Sequence, residues 1–257
     1  MIIKKLHLVY FSPTGTGKKN LEFAAANFNI ETIKHDITCK SEILTFKDTD
    51  LVFFITPVYS GRVPTLAKKR IELIHGNNTP CVLFSVYGNR AFDNSLIELQ
   101  QIVENNDFKA IAALGVIGEH TFTNKVGYNR PDADDQRIIG EKMNIVKEKI
   151  NKTSSLKDII NINIPGKIPN DQLKRLSLAP KTNDKCTHCN ICIDVCPAKA
   201  INFEHFNIPD STLCIGCLAC VKNCPNNARE ANQIKIAAIA KALELSCKKP
   251  QKITLYI

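Results

Sequence analysis

The chain has 257 residues, 44% of them hydrophobic, and a formal net charge of +9. That length accommodates one large domain plus a small one, and the apolar share is ordinary for a protein with a buried core. No apolar run approaches the roughly eighteen residues that a membrane-spanning helix needs, so membrane insertion is not expected. Met1-Ile2-Ile3-Lys4-Lys5 leads into a strand-like pattern rather than an apolar export segment. A cytoplasmic protein in a reducing compartment is the expectation.

Segment 5–11 reads as a strand, 18–28 as an amphipathic helix and the region near Thr32 as a weaker strand. The apolar run 50–56 follows, then a helix over 65–74, a strand over 81–87, a helix over 95–104 and a strand over 109–117. A helix over 132–150 closes the set. Short apolar strands alternating with helices predict a parallel sheet covered on both faces. Sheets of that kind bind ligands in the loops beyond the carboxyl ends of their strands.

Three such loops carry unusual residues. The first is Ser12-Pro13-Thr14-Gly15-Thr16-Gly17-Lys18, directly before a helix. Hydroxyls and successive backbone N–H groups at a helix N-terminus form a phosphate cradle. A Walker A loop fails at two defining positions, with Ser12 in its first place and Lys19 in its last. The other alternative is an ordinary glycine-rich connection. The second loop is Thr56-Pro57-Val58-Tyr59-Ser60-Gly61-Arg62, and the third is Tyr87-Gly88-Asn89-Arg90-Ala91-Phe92. A flat isoalloxazine ring needs aromatic faces to stack on and a flexible peptide near its N5. Tyr59 with Ser60 and Gly61 supplies both, and Phe92 or Tyr87 could cover the opposite face. A single aromatic is more often core than cofactor wall, but three loops at three strand ends point to one flavin site. Two readings stay open for His120, Arg130, Asp132 and Asp135. They line the flavin edge and deliver a proton or positive charge there, or Pro131-Asp132 simply starts the last helix.

The stretch 151–183 is polar and broken by Pro165-Gly166, Pro169 and Pro180, and reads as a connector lying along the first domain. Beyond it a cysteine spacing occurs twice. Cys186, Cys189, Cys192 and Cys196 precede Pro197, and Cys214, Cys217, Cys220 and Cys224 precede Pro225, at a constant offset of 28 residues. Three thiolates so spaced wrap one iron–sulfur cube, and the fourth cysteine of each run ligates the other cluster. Cys186, Cys189, Cys192 and Cys224 are therefore expected to hold one 4Fe–4S cluster, and Cys214, Cys217, Cys220 and Cys196 the second. Zinc sites show paired CxxC units rather than three cysteines in one run, and tight runs of thiols are hard to bridge within themselves as disulfides. Cys39, Cys81 and Cys247 fall outside the pattern, and Cys81 reads as a small buried hydrophobe. Ala200-Ile201-Asn202-Phe203 and 208–213 are expected as short strands or turns shielding the clusters. The apolar spacing of Ile234, Ile236, Ile239 and Leu243 predicts a helix over 231–246 packed back on the body.

The charge of +9 does not carry a nucleic-acid reading. Two clusters and a flavin phosphate would bring the holoprotein to about +3, and no interleaved aromatic–basic stripe is present. Segment 181–230 has five basic and five acidic side chains, so the clusters would make it anionic. Past residue 230, Lys235, Lys241, Lys248, Lys249 and Lys252 face Glu244 alone, as a docking face or a solvated stretch.

The first loop resembles the flavodoxin FMN-phosphate motif, with Ser12, Thr14, Gly15, Thr16 and Gly17 in its places. The whole chain resembles the single-chain flavodoxin–ferredoxin fusions called EFR-family ferredoxins. The resemblance is carried by the segments 56–64 and 86–90, Gly118-Glu119-His120, Arg130-Pro131-Asp132 with Asp135, and above all the double cysteine motif. It implies a flavodoxin-like α/β domain over 1–150, with a five-stranded parallel sheet in order 2-1-3-4-5. A connector over 151–180, a small α+β dicluster ferredoxin domain over 181–230 and a C-terminal helix and tail over 231–257 would follow. The cofactors expected are FMN, held by Ser12, Thr14, Gly15, Thr16, Gly17, Lys18, Pro57, Tyr59, Ser60, Gly61, Tyr87, Gly88, Asn89, Arg90 and Phe92, and two 4Fe–4S clusters. The chain departs from many flavodoxins in having Thr16-Gly17 for Asn-Thr and Phe92 where a tyrosine is common. The expected function is electron transfer between FMN and the clusters, with redox proteins as partners. The alternatives are an FMN-dependent reductase of a small acceptor such as a quinone, nitro compound or oxygen, and a dicluster ferredoxin with a flavin-free docking domain. No G-x-G-x-x-G follows a strand, so direct use of a nicotinamide cofactor is not indicated.

Overall fold

Strands β1 (Lys5–Tyr10), β2 (Glu31–Asp36), β3 (Leu44–Thr45), β4 (Asp50–Pro57), β5 (Ile74–His75), β6 (Thr79–Tyr87) and β7 (Phe108–Ile117) alternate with helices α1 (Thr16–Ala25), α2 (Thr65–Ile71), α3 (Ser95–Glu104) and α4 (Ala133–Lys152). The chain is seen in a computed structural model that describes every residue except Met1, Leu156, Lys157, Gln172, Lys174, Arg175 and Ser177. The long strands β2-β1-β4-β6-β7 lie side by side, all parallel. This is the flavodoxin-like order 2-1-3-4-5, as the sequence leads one to expect.

Burial explains why the central strands read as unbroken apolar runs. On one face Leu6, Leu8, Phe53 and Phe84 pack under Leu21 of α1 and Ile139, Met143 and Val146 of α4. On the other, Val9, Phe54 and Leu83 pack under Ile71 of α2 and Leu96, Leu99 and Ile102 of α3. Adjacent residues such as Phe53 and Phe54 thus enter opposite cores, and a strand buried on both faces has no polar alternation. The edge strand β2 contains no buried residue, which is why its signal is weak.

Two differences from the sequence expectations stand out. A further strand, β10 (Thr254–Tyr256), pairs antiparallel with β7, from Thr254 opposite Gly115 to Tyr256 opposite Ala113, and makes the sheet six-stranded. Its three residues, following a lysine-rich stretch, give too short a pattern to stand out. Helix α7 (Gln233–Ser246) forms where expected, but none of its residues is buried. Ile236, Ile239 and Leu243 are half-covered while Ile234 faces solvent.

Helix α4 begins with a reciprocal cap. The Asp132 side chain accepts from the Asp135 N–H at 2.9 Å, and the Asp135 carboxylate accepts from the Asp132 N–H at 3.0 Å. Arg130 closes the group through ion pairs with both aspartates. Of the two readings for these three residues, the structure supports the helix start, and none of them lines the cavity described below. Asp132→Ala is expected to cost about 1 kcal/mol, seen as a lower urea midpoint at unchanged slope; an unmoved midpoint would assign the cap no role in stability.

The connector lies along α3. Ile162 and Ile164 are buried in the second core, and the Lys167 N–H donates to Asn94 Oδ1 at 3.2 Å. The small domain then runs through β8 (Lys181–Thr182), α5 (Ile191–Asp194), α6 (Ala219–Lys222) and β9 (Arg229–Glu230), with β8 and β9 paired antiparallel. Neither 200–203 nor 208–213 forms a strand: the first bends at 202–203, and the second turns at 211–213.

Candidate functional site

The loop after β1 turns sharply into α1. Gly15 takes φ +80°, a left-handed conformation that favours glycine, and its N–H donates to the Ser12 carbonyl at 3.1 Å. Ser12 Oγ accepts from the Lys18 N–H at 3.1 Å, leaving its own proton free to donate. The Ser12 N–H is held by Thr38 Oγ1 at 2.9 Å. Among the described residues the N–H groups of Thr14, Thr16 and Gly17 have no hydrogen-bond partner. A helix N-terminus with open amides and a free hydroxyl fits a phosphate dianion. Gly118 packs against Thr16 so closely that a Cβ there would overlap its methyl, which pins the far side of the loop.

This loop opens into a cavity of about 770 Å³. Ser12, Thr14, Thr16 and Gly17 line it from the first loop, Pro57, Tyr59 and Ser60 from the second, and Tyr87 and Gly88 from the third. Tyr59 and Arg62 exchange two backbone hydrogen bonds of 3.0 Å around Ser60 at φ +50° and Gly61 at φ +78°. Two consecutive positive φ angles define a type I′ hairpin tip, which presents peptide edges to the cavity. Behind it Glu98, buried, accepts from Arg62 Nε and Nη2 at 2.9 Å each and from the Val63 N–H at 2.9 Å.

The other predicted contacts lie elsewhere. Gly15, Lys18, Gly61, Asn89, Arg90 and Phe92 do not line the cavity. Lys18 extends over the Tyr10 ring, and Arg90 pairs with Asp93. Phe92 fills the groove above Gly115, its ring 5.4 Å from that of Tyr87 and 6.3 Å from that of Tyr256. The buried Asn89 side chain clasps the C-terminal segment. It donates to the carbonyls of Cys247 at 3.0 Å and Lys249 at 3.1 Å, and accepts from the Gln251 N–H at 2.7 Å.

His120 does line the cavity, packed so tightly on Gly88 that a Cβ there would overlap the ring. Burial, then the nearby Arg90 charge, pulls its pKa down to about 4. Its Nδ1 accepts from the Phe122 N–H at 3.2 Å. The neutral ring therefore offers an Nε2–H donor, not an imidazolium, at neutral pH. Unfolding frees this histidine to bind a proton between its ordinary pKa of 6.5 and about 4, so stability falls on acidification through that window. His7 and His35 shift the same way through burial. His120→Gln is expected to make the decline shallower without abolishing it, as read from urea midpoints at about pH 7 and about pH 4.5; an unchanged decline would show that His120 takes no part in it.

The cavity's outer wall belongs to the small domain, an arrangement that one sequence gives no means to anticipate. Ile215, Gly216 and Cys217 face Tyr59 and the phosphate loop across it, joined by Leu176 of the connector. Burial drives the Tyr59 phenol well above its usual range, and Cys217 followed by Cys214 adds to that. Gly216, at φ +68°, leaves no room for a Cβ beside the Leu176 carbonyl. From α2, the buried Arg70 reaches across to donate to the Pro197 carbonyl at 2.8 Å.

The two cysteine runs fold alike. Left-handed residues fall in pairs 28 residues apart, His188 with Gly216, Asn190 with Leu218 and Lys199 with Asn227, the same offset as the cysteines. Asn190 and Leu218 each start a four-residue helix. Such reversals turn successive N–H groups inward, toward sulfur. The His188 N–H donates to Cys186 Sγ at 3.4 Å and the Ala228 N–H to Cys224 Sγ at 3.2 Å. Burial raises Cys220 to about 12 and Cys217 still further. Burial also works to raise Cys224, but the amides of Ala228, Asn226 and Arg229 outweigh it and hold that thiol below its usual range. Among the described residues no group of three or more Cys, His, Asp or Glu side chains closes on a single-ion site. Buried thiols such as Cys217 and Cys220 need a cation to ionise, as ligation to a metal cluster supplies.

Residues 180–225 match the 4Fe-4S dicluster domain family. Over 65 residues, 24% of the chain, it is 37% identical to one component of the tetrathionate reductase of Archaeoglobus fulgidus. Over 50 residues, 19% of the chain, it is 42% identical to the IorA component of the indolepyruvate oxidoreductase of the same organism. The matches span 30% and 8% of those relatives. A flavodoxin from the domain Archaea superposes with a TM-score of 0.42 at 12% identity, over 57% of this chain and 99% of its own. A Fusobacterium nucleatum flavodoxin bound to flavin mononucleotide gives 0.41 at 17% identity, over 58% of this chain and 98% of its own. The fold assignment rests on strand order and connections, not on these overlaps.

Proposed function

We propose that this chain is an electron-transfer iron–sulfur flavoprotein of the EFR-ferredoxin type, holding one FMN in the interdomain cavity and two 4Fe–4S clusters in the small domain. The observation that carries the reading is that Cys217 lines the same cavity as the phosphate loop. FMN supplies two-electron chemistry and each cluster one-electron chemistry. The chain's own part is to bind and to hold. Thr14, Thr16 and Gly17 offer amides to the phosphate, and Ser12 its hydroxyl. Tyr59 and Ser60 of the hairpin tip line the cavity from one loop, and Tyr87 and Gly88 from another. Cys186, Cys189, Cys192 and Cys224 hold one cluster, and Cys214, Cys217, Cys220 and Cys196 the other, so the second set stands nearer the flavin. Partners are redox proteins, and the location is cytoplasmic.

The test is the iron, sulfide and flavin content of anaerobically purified protein. About eight iron, eight sulfide and one FMN per chain are expected. Eight iron with no flavin, even after incubation with FMN, would leave a dicluster ferredoxin carrying a flavodoxin-like docking domain. Cys189→Ala is expected to remove or convert one cluster; an unchanged iron count and spectrum would refute that assignment.

A further inference from the structure

Arg229 is a buried cation, 3% exposed, and among the described residues no carboxylate pairs with it. Its Nη2 donates to Cys192 Sγ at 3.1 Å, and its Nη1 to the Pro180 carbonyl at 3.4 Å. The guanidinium sits 5.0 Å from the centroid of the Phe206 ring, which His188 stacks on from 5.1 Å. An isolated charge removed from water is costly unless an anion stands beside it. The group placed to be that anion is a cluster bound through Cys192.

The two cysteine sets are not treated alike. The set of Cys186, Cys189, Cys192 and Cys224 receives the guanidinium and the amides of His188 and Ala228. Its Cys189 is solvent-exposed. In the other set Cys196, Cys214 and Cys220 are buried, and the Ala219 amide supports Cys217. Arg229 reaches Cys220 through space, without a hydrogen bond. Positive charge, donors to sulfur and exposure to water all favour the added electron, and all three favour the Cys192 set.

We propose that Arg229 sets the order of reduction, so that the cluster held by Cys186, Cys189, Cys192 and Cys224 is reduced first and the one beside the cavity second. Each cluster takes one electron from the reductant, and no bond forms or breaks. Electrons would then collect at the outer cluster, beside exposed Cys189 and away from the flavin. The inference rests on the two-cluster reading above.

The experiment is an anaerobic dithionite titration of the full chain followed by electron paramagnetic resonance, with iron and sulfide counted on each sample. In the native sequence, Cys189→Ser is expected to alter the signal that appears first, and Cys217→Ser the one that appears second. Arg229→Gln is expected to disfavour the first reduction at least tenfold, about 59 mV more negative for a one-electron couple. Arg229→Lys, which keeps the charge, should shift it less. An unmoved first potential in Arg229→Gln at full iron content would overturn the proposal. So would a first signal that answers to Cys217→Ser, a comparison that decides the matter even where Arg229→Gln fails to assemble. An iron count well below eight in the unmodified protein would instead overturn the two-cluster reading, and this inference with it.

Discussion

Arg70→Met is expected to slow electron exchange between the two halves of the molecule by about an order of magnitude while leaving cofactor content unchanged. Arg70 stands on α2, buried, with its guanidinium 5.7 Å from the Phe11 ring centroid. It donates to the carbonyls of Ile37 at 3.0 Å, of Thr38, and across the domain boundary of Pro197 at 2.8 Å. Pro197 follows Cys196, a thiol assigned to the cluster beside the cavity. Burial lowers the pKa of Arg70, so its charge is held there at a cost. Methionine relieves that cost but strips partners from buried carbonyls, each worth about 1–3 kcal/mol if left unpaired. The variant is therefore expected to be less stable as well as to lose the fastening to the small domain. Electron transfer falls steeply with distance, so a loosened cluster domain exchanges electrons less well. Flash reduction of the flavin, followed by absorbance at cluster wavelengths, measures the rate. Hydrogen exchange around residues 195–200 reports the loosening separately. Native rates together with native protection would mean that Arg70 fastens nothing.

The second large effect is expected in Glu98→Gln. Glu98 holds Arg62 by two parallel hydrogen bonds and also takes the Val63 N–H, all at 2.9 Å. The remaining carboxylate on Arg62 is Asp171 at 2.9 Å, itself largely exposed. Hydrogen bonding to Glu98 leads the causes that hold the Arg62 pKa above its ordinary value, and burial works against it. Arg62 is half-buried and keeps Asp171, so the loss is that of hydrogen bonds to a charged group, about 1.5–3 kcal/mol. For a chain of this size that is roughly 3–12 °C in melting temperature. Arg62 ends the hairpin tip that starts at Tyr59, so flavin affinity should fall with stability. Arg62→Met with Glu98→Leu removes both charges and should recover most of the stability but not the affinity. If the single variant melts within a degree or two of the native protein, the pair does not hold the tip.

The parallel sheet was legible because β4, β6 and β7 are apolar on both faces, a pattern that one strand reveals by itself. The cysteine runs were legible for a similar reason, since spacing along the chain is all that a cluster loop needs. Phe92 was harder. Its aromatic character suits a flavin wall, but its destination is set by Gly115, more than twenty residues away, which leaves the groove the ring fills. Asn89 reads as a loop residue, yet its partners at 247, 249 and 251 come from the far end of the chain. Arg70 and Arg229 look like surface cations in the sequence. Only folding shows that both are buried and turned toward the cysteine loops. Local rules foresee elements and ligands; complementarity between distant residues decides which side chains face the cavity.

The pairing of β10 with β7 also constrains how the protein is made. On the ribosome, residues 1–150 emerge first and can form five strands, but the sixth must wait until the cysteine loops have been synthesised. The Asn89 clasp likewise has nothing to grip until residues 247–251 appear. Closure of the sheet edge thus follows synthesis of the cysteine loops, with β10 sealing a body whose small domain is tethered at both ends. A chain that stalls before residue 254 would leave the edge of β7 open to pairing with another molecule.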